Sequence, residues 1–246
     1  SGIIDFSGYE DEMRNVILAS SDATCELDLM PTKVLKECLP ALAKPISIII
    51  NKCLHEENFP SIYKQALVAP LHKKHSLPKD ELNSYRPISN LSFISKVTER
   101  IIHSRLQEHL HGCNSLSNFQ SAYKSGFSTE TALNCIQNDL LQSIDKKQVS
   151  ALVLLDLSAA FDTIDHSILM DRLCFYFGIE GNVLQLLVSY LKDRFQVINI
   201  GQTKSEPKRL ATGIPQGSVL GPLLFSLYIT PLSQLLSLHV VKFHFY

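Results

Sequence analysis

The 246-residue sequence has no Asp-Asp pair and no acidic residue after Glu206. Metal chemistry in this chain must therefore rest on separated carboxylates. There is also no C-x-x-C pair. Cys25, Cys38, Cys53, Cys113, Cys135 and Cys174 are scattered, several of them within apolar helical patterns. That usage excludes a disulfide framework and predicts reduced core thiols in an intracellular protein. His72 with His75, and His109 with His111, lack a second ligand pair at finger-like spacing, so a zinc finger is excluded and the histidines read as structural or solvated. No signal peptide is present and no apolar run approaches twenty residues. The chain is expected not to be secreted, to have no membrane partner, and to reside in nucleus and cytoplasm. A global basic excess is missing too: 23 Lys+Arg stand against 24 Asp+Glu, a formal charge of −1. Repeats and low-complexity linkers are absent.

What is present is enough apolar residue, 45%, to fill a core, and a strong local imbalance of charge. Residues 1–30 carry seven acidic side chains and one basic one, whereas residues 61–110 carry eight basic and four acidic. A polyanion is expected to meet the second stretch. The chain starts at Ser1 and stops in HVVKFHFY, an alternating strand-like pattern, so both ends read as cut.

The first sixty residues read as helical, with Val34, Leu35, Leu39, Leu42, Ile46 and Ile50 near helical spacing. QALVAPLHKK predicts a strand running into Lys73 and Lys74, followed by the polar loop HSLPKDELNSYRP. ISKVTERIIHSRLQEHL predicts an amphipathic helix with Val97, Ile101, Ile102, Leu106 and Leu110 on one side and charges on the other. TALNCIQNDLLQSI predicts a second, capped by Ser128 or Thr129. VSALVLLD follows as a strand. SILMDRLCFYFG is a helix stopped by Gly178, VLQLLVSYLKDR another, and FQVINIGQTKSEPKRLAT a hairpin around a glycine turn. GIPQGSVLGPLLFSLYI is a loop running into a helix with Val219, Leu220, Leu223, Leu224 and Leu227 inward. Strands joined by hairpins as well as by helices predict α+β architecture.

Within LVLLDLSAAFDTIDH, residues 151–155 lack polar alternation, which predicts a strand covered on both faces. A carboxylate at its end, Asp156, is costly unless solvated, hydrogen-bonded or bound to a cation. Asp162 and Asp165 precede a helix and fit capping. Asp156 does not, because Leu157 to Phe161 intervene, and it is the candidate metal ligand. Magnesium accepts one or two carboxylates with water and phosphate oxygens, while two-metal phosphoryl transfer needs bridging carboxylates from separate elements.

DLSAAFDTIDH, GIPQGSVLGPLLF about fifty residues later, YRPIS upstream and FQSAYKSGFSTETAL between them form an ordered series. Together they resemble the motifs of reverse transcriptases of non-LTR (LINE-type) retrotransposons. The resemblance covers roughly residues 66–246, and SDATCELDLMPTKVLKECLP resembles the segment leading into such polymerases. Each piece alone is weak; four in order are specific.

The resemblance implies an RNA-directed DNA polymerase with a right-hand fold. It implies an N-terminal helical extension over 1–65 and a reverse transcriptase domain over 66–246, with fingers at 66–148 and a partial palm at 149–246. The implied reaction is template-directed nucleotidyl transfer from dNTPs to a DNA primer on an RNA template, with two Mg²⁺ ions. Asp156 takes the place of the first catalytic aspartate, with the Leu157 carbonyl as a further metal ligand. Phe161 stands where a bulky side chain lies under the incoming sugar and rejects a 2′-hydroxyl; by position alone it reads as a core phenylalanine. Gly213, Pro215, Gln216 and Gly217 match the loop against the nascent base pair, although a simple turn before a helix is the plain alternative. Gln216 and Gly217, with Lys73, Arg86 and Lys124, are implied nucleotide contacts; Lys74, Gly213 and Pro215 are implied template contacts. Lys124 departs from the arginine more usual there, keeping charge and losing bidentate geometry. In the family an aromatic residue precedes Ala-Asp-Asp, and Tyr246 matches that aromatic. The chain is thus expected to stop before the second catalytic motif, without a thumb, and to have little polymerase activity by itself. The alternative reading is a non-catalytic retrotransposon remnant or RNA-binding fragment. An aspartate-nucleophile phosphatase is disfavoured because D-L-S lacks a second Asp two residues on.

Overall fold

The computed structural model describes residues 10–112, 121, 126–157, 159–239 and 241–245. Helices α1 (Glu10–Ala19), α2 (Thr32–Glu37) and α3 (Leu39–His55) open the chain. Because the helix breaks at Cys38, Leu35 faces inward and Val34 is exposed, contrary to the helical spacing read from the sequence. Leu39, Ile46 and Ile50 are buried as expected, and Leu42 partly so.

Strands β1 (Gln65–His72) and β2 (Tyr85–Asn90) pair antiparallel, and β3 (Arg194–Ile200) lies parallel to β1. The expected hairpin forms from β3 and β4 (Thr203–Lys204), while β5 (Lys208–Leu210) also pairs antiparallel with β3. The resulting five-stranded mixed sheet has the order β2-β1-β3-β4. Part of the polar loop expected after Lys74 is therefore a strand. Pro87 misled the reading, and it is tolerated because β2 is the edge of the sheet.

Helix α4 (Phe93–Gly112) buries all five of its expected inward residues. Its N-terminus is held by Asp28, whose Oδ1 accepts from Phe93 N at 2.6 Å. α5 (Thr129–Asp145) is capped by Ser128 with Thr131 as its reciprocal partner, yet buries only Ala132. α6 (His166–Phe177) starts at Asp165, which accepts from Ser167 N and Ile168 N, and ends at Gly178 with φ 62°. α7 (Gly181–Leu191), α8 (Gly221–Ile229) and α9 (Pro231–Leu238) complete the described helices. A single buried cluster joins α1 and α3 to α4, α6, α7 and α8. On α8 the inward set is Leu223, Leu224 and Leu227, preceded by buried Leu220; Val219 is only half-buried. The architecture is mixed α/β around a small mixed sheet.

Three expectations are corrected. Residues 149–155 form no strand, and Val153, Leu154 and Leu155 are 73, 80 and 87% exposed. A strand exists only through a neighbour's hydrogen bonds, and no described strand lies beside this run. Second, only Cys53 is a buried thiol; Cys38 and Cys135 are exposed, Cys25 and Cys174 half-buried, and Cys113 lies outside the described residues. Third, Gly221–Leu238 reaches the length and mean hydropathy, 1.2, of a membrane-crossing segment. It is divided between α8 and α9 at Pro231, and the inner face of α8 packs on α6. In KFHFY, Ser121 N donates to Phe245 O at 2.9 Å, Ser121 Oγ lies 2.8 Å from His244 Nε2, and Lys242 pairs with Asp139 at 2.5 Å. Tyr246 lies outside the described residues.

Candidate functional site

Asp156 sits at the end of the exposed run, and Leu157 is exposed beside it. The chain then turns through residues 159–163, where Asp162 N and Thr163 N both donate to Ala159 O. Ala159 itself has φ 53°, a left-handed conformation that costs a non-glycine residue about 1–2 kcal/mol and marks a constrained turn. Phe161 is half-buried, its ring 5.4 Å from that of Phe225 on α8.

This turn is locked to the glycine-rich loop. Ile214 N donates to Phe161 O at 2.8 Å and Gly213 N to Ile164 O at 2.8 Å. A Cβ on Gly213 would stand 2.7 Å from backbone atoms of Phe161 and Asp162, so the close approach requires glycine. His166 Nε2 lies 2.7 Å from Gly213 O, closing the same junction. Pro215 is buried and Gln216 half-buried.

On its other side the loop meets β2. Ser89 N donates to Gln216 O at 2.7 Å, and a Cβ on Gly217, whose φ is 111°, would lie 2.8 Å from Ser89 O. Three of the sequence motifs, YRPIS, DLSAAFDTIDH and GIPQGS, therefore converge chiefly through backbone hydrogen bonds, with the His166 side chain joining the last two.

The cations lie in and just beyond the β1–β2 pair. Arg86 is exposed and pairs in register with Leu71; Lys73 donates from its Nζ to Asn83 O at 2.8 Å, and Lys74 is exposed just beyond. Lys124 lies outside the described residues. A solvent-facing row of positive charge is suited to phosphate, where release of counterions dominates affinity.

Behind the loop is a group that sequence reasoning missed. Glu99 of α4 is wholly buried, and its Oε2 accepts from Val219 N at 2.7 Å and Leu220 N at 3.2 Å. Burial pushes its carboxyl up from the usual carboxylate range, while Arg194 and the two backbone amides oppose that. The signal was present: Ser95, Glu99, Ile102 and Leu106 share the helical spacing of the inward face.

As a metal site, Asp156 offers one solvent-accessible carboxylate. Among the described residues no three His, Cys, Asp or Glu side chains gather. The donor set fits Mg²⁺ rather than zinc, because Mg²⁺ takes most of its ligands from water and phosphates.

Residues 72–246 match the family described as reverse transcriptase (RNA-dependent DNA polymerase). The chain belongs to this family. Among its relatives, the probable RNA-directed DNA polymerase from transposon BS of Drosophila melanogaster is 33% identical over 76% of the chain and 20% of that protein. The RNA-directed DNA polymerase from mobile element jockey of the same species is 30% identical over 89% of the chain and 24% of that protein. A retrovirus-related Pol polyprotein from the type-1 retrotransposable element R1 of Bradysia coprophila is 31% identical over 78% of the chain and 18% of that protein. The chain spans about a fifth of the length of the curated relatives it matches. It is a reverse transcriptase domain of retrotransposon origin, and the four ordered motifs of the sequence fall within the matched residues, whereas SDATCELDLMPTKVLKECLP lies upstream of them.

Proposed function

We propose that the segment works within an RNA-directed DNA polymerase, extending a DNA primer on an RNA template with dNTPs. The observation that carries this is the convergence of the turn after Asp156, the Gly213–Gly217 loop and β2. In the reaction the primer 3′-oxygen forms a bond to the α-phosphorus of the dNTP, the bond to the β-phosphate oxygen breaks, and pyrophosphate leaves. Asp156, aided by the Leu157 carbonyl, would hold Mg²⁺, which supplies charge neutralisation at the phosphates when bound.

The chain's own residues bind and orient. Lys73 and Arg86, with Lys124, face the triphosphate, and Lys74 faces the template. Phe161, fixed against Phe225, forms a wall that rejects an added 2′-oxygen by clash. Gln216 and Gly217 meet the nascent base pair, with Gly213 and Pro215 supporting the template side. In this reading residues 66–148 form fingers and 149–246 palm, preceded by a helical extension over 1–65. The described cysteines are free thiols, in keeping with residence in nucleus and cytoplasm.

Primer extension on an RNA template by the protein containing this segment tests the proposal. Asp156→Asn is expected to lower kcat by at least about a hundredfold, the order of magnitude of losing a metal ligand or a comparable electrostatic contact. RNA binding should survive. Extension that is indifferent to Asp156→Asn overturns the assignment. Salt-dependent RNA binding without any extension by the unsubstituted protein establishes a binding module in its place.

A further inference from the structure

Glu99 and Arg194 are 0% and 1% exposed, and no role in substrate contact accounts for either. Two charges in a core are costly unless each is compensated. Glu99 is compensated by Val219 N, Leu220 N and, at 3.3 Å, Ser95 Oγ. Arg194, at the start of β3, donates through Nη1 to Tyr190 O at 2.9 Å, and its guanidinium lies 4.7 Å from the Tyr190 ring centre. Among the described residues its Nε and Nη2 are buried without a hydrogen-bond acceptor, and its positive charge acts through space to oppose the upward push of burial on the Glu99 carboxyl.

The carboxylate grips residues 219 and 220, two and three positions beyond Gly217. Ser89 N grips Gln216 O, and Ile164 O and Phe161 O grip Gly213 N and Ile214 N. The loop is thus tied by backbone contacts on two sides, by the half-buried His166 at Gly213 O, and by Glu99, a fully buried side chain from α4.

We propose that Glu99, with Arg194 as its counter-charge, is a positioning residue that sets the Gln216 loop against the nascent base pair, an assignment that rests on the reverse transcriptase reading above. Glu99→Gln keeps an acceptor but strands the Arg194 charge; Glu99→Asp keeps the charge and withdraws the oxygens by one methylene. Arg194→Met combined with Glu99→Gln removes both charges.

The test uses the protein containing this segment. In Glu99→Gln, KM for dNTP is expected to rise about tenfold with kcat changed less than about threefold, the scale of one lost charged hydrogen bond. Glu99→Asp should shift KM less, and the double substitution should recover part of it. Independently of substrate, amide exchange across residues 213–222 should quicken by about tenfold in Glu99→Gln, while the buried face of α4 at 101–110 stays protected. Unchanged exchange overturns the anchoring, and quickened exchange with unchanged KM overturns the link to the nucleotide. Failure of the unsubstituted protein to extend a primer overturns the polymerase reading instead, and the exchange measurement still decides the anchoring.

Discussion

The amide of Ser89 donates to the carbonyl of Gln216 at 2.7 Å, across 127 positions of sequence, and so joins the edge strand β2 to the loop that precedes α8. Neither side chain takes part. The joint therefore depends on how closely two backbones approach, and glycine at position 217 permits the approach.

Gly217→Ala places a methyl 2.8 Å from Ser89 O at a φ of 111°, and Gly213→Ala places one 2.7 Å from the backbone of Phe161 and Asp162. Each is expected to cost roughly 1–3 kcal/mol, because both strain and collision must be relieved. Urea unfolding monitored by circular dichroism measures it. Either alanine variant unfolding at the parent midpoint would remove the close-approach argument.

The apolar run at 149–155 provides a contrast with the core. Leu154→Ser and Leu155→Ser, at positions 80 and 87% exposed, should change stability by no more than about 0.5 kcal/mol. Leu106→Ala, at a fully buried position, should cost about 2–5 kcal/mol. Thermal melts of the three variants decide this: a loss at Leu154 or Leu155 as large as that at Leu106 would show the run to be covered.

Asp165 caps α6, and its hydrogen bonds from Ser167 and Ile168 hold its carboxyl below the usual carboxylate range. A depressed folded-state pKa contributes stability that is present above the unfolded pKa and is lost as pH falls through the folded one. Melting temperature should therefore fall in acid with a component that Asp165→Asn, which retains a capping oxygen, abolishes. An identical acid slope in that variant refutes the capping contribution.

Cys53 is buried, and desolvation pushes its thiol up to about 12. Cys38 and Cys135 are exposed. Brief iodoacetamide treatment of the folded protein should label the latter two and spare Cys53, with mass spectrometry of tryptic peptides as the readout. Labelling of Cys53 at the rate of Cys38 contradicts its placement.

If Phe161 walls off the 2′-position, Phe161→Val should raise incorporation of ribonucleotides relative to deoxyribonucleotides by about tenfold or more, since a clash rather than a lost contact is relieved. Competitive primer extension with rNTP and dNTP reads the ratio. An unchanged ratio assigns Phe161 to packing against Phe225 alone.

Local chemistry was legible from the residues. Ser128 and Asp165 were recognisable as caps, Gly178 as a helix stop, Gly201 as the hairpin turn, and Val97 to Leu110 as a buried stripe, because each is set by neighbours within a few positions. The motif series likewise identified the family that residues 72–246 match. β2 was hidden because Pro87 is admissible only at a sheet edge, and edges are defined by other strands. Burial of 151–155 was wrongly expected because apolar content shows what a strand prefers, while cover must come from elsewhere.

The sequence by itself determined the caps at Ser128 and Asp165, the stop at Gly178, and which family the ordered motifs indicate, since all of these follow from short-range sterics, capping and spacing. Only the tertiary structure decided that Ser89, Phe161 and Gln216 share one junction and that Glu99 meets the amides of Val219 and Leu220. Those facts depend on hydrogen bonds between segments far apart in the chain, and such bonds leave no periodic trace in it.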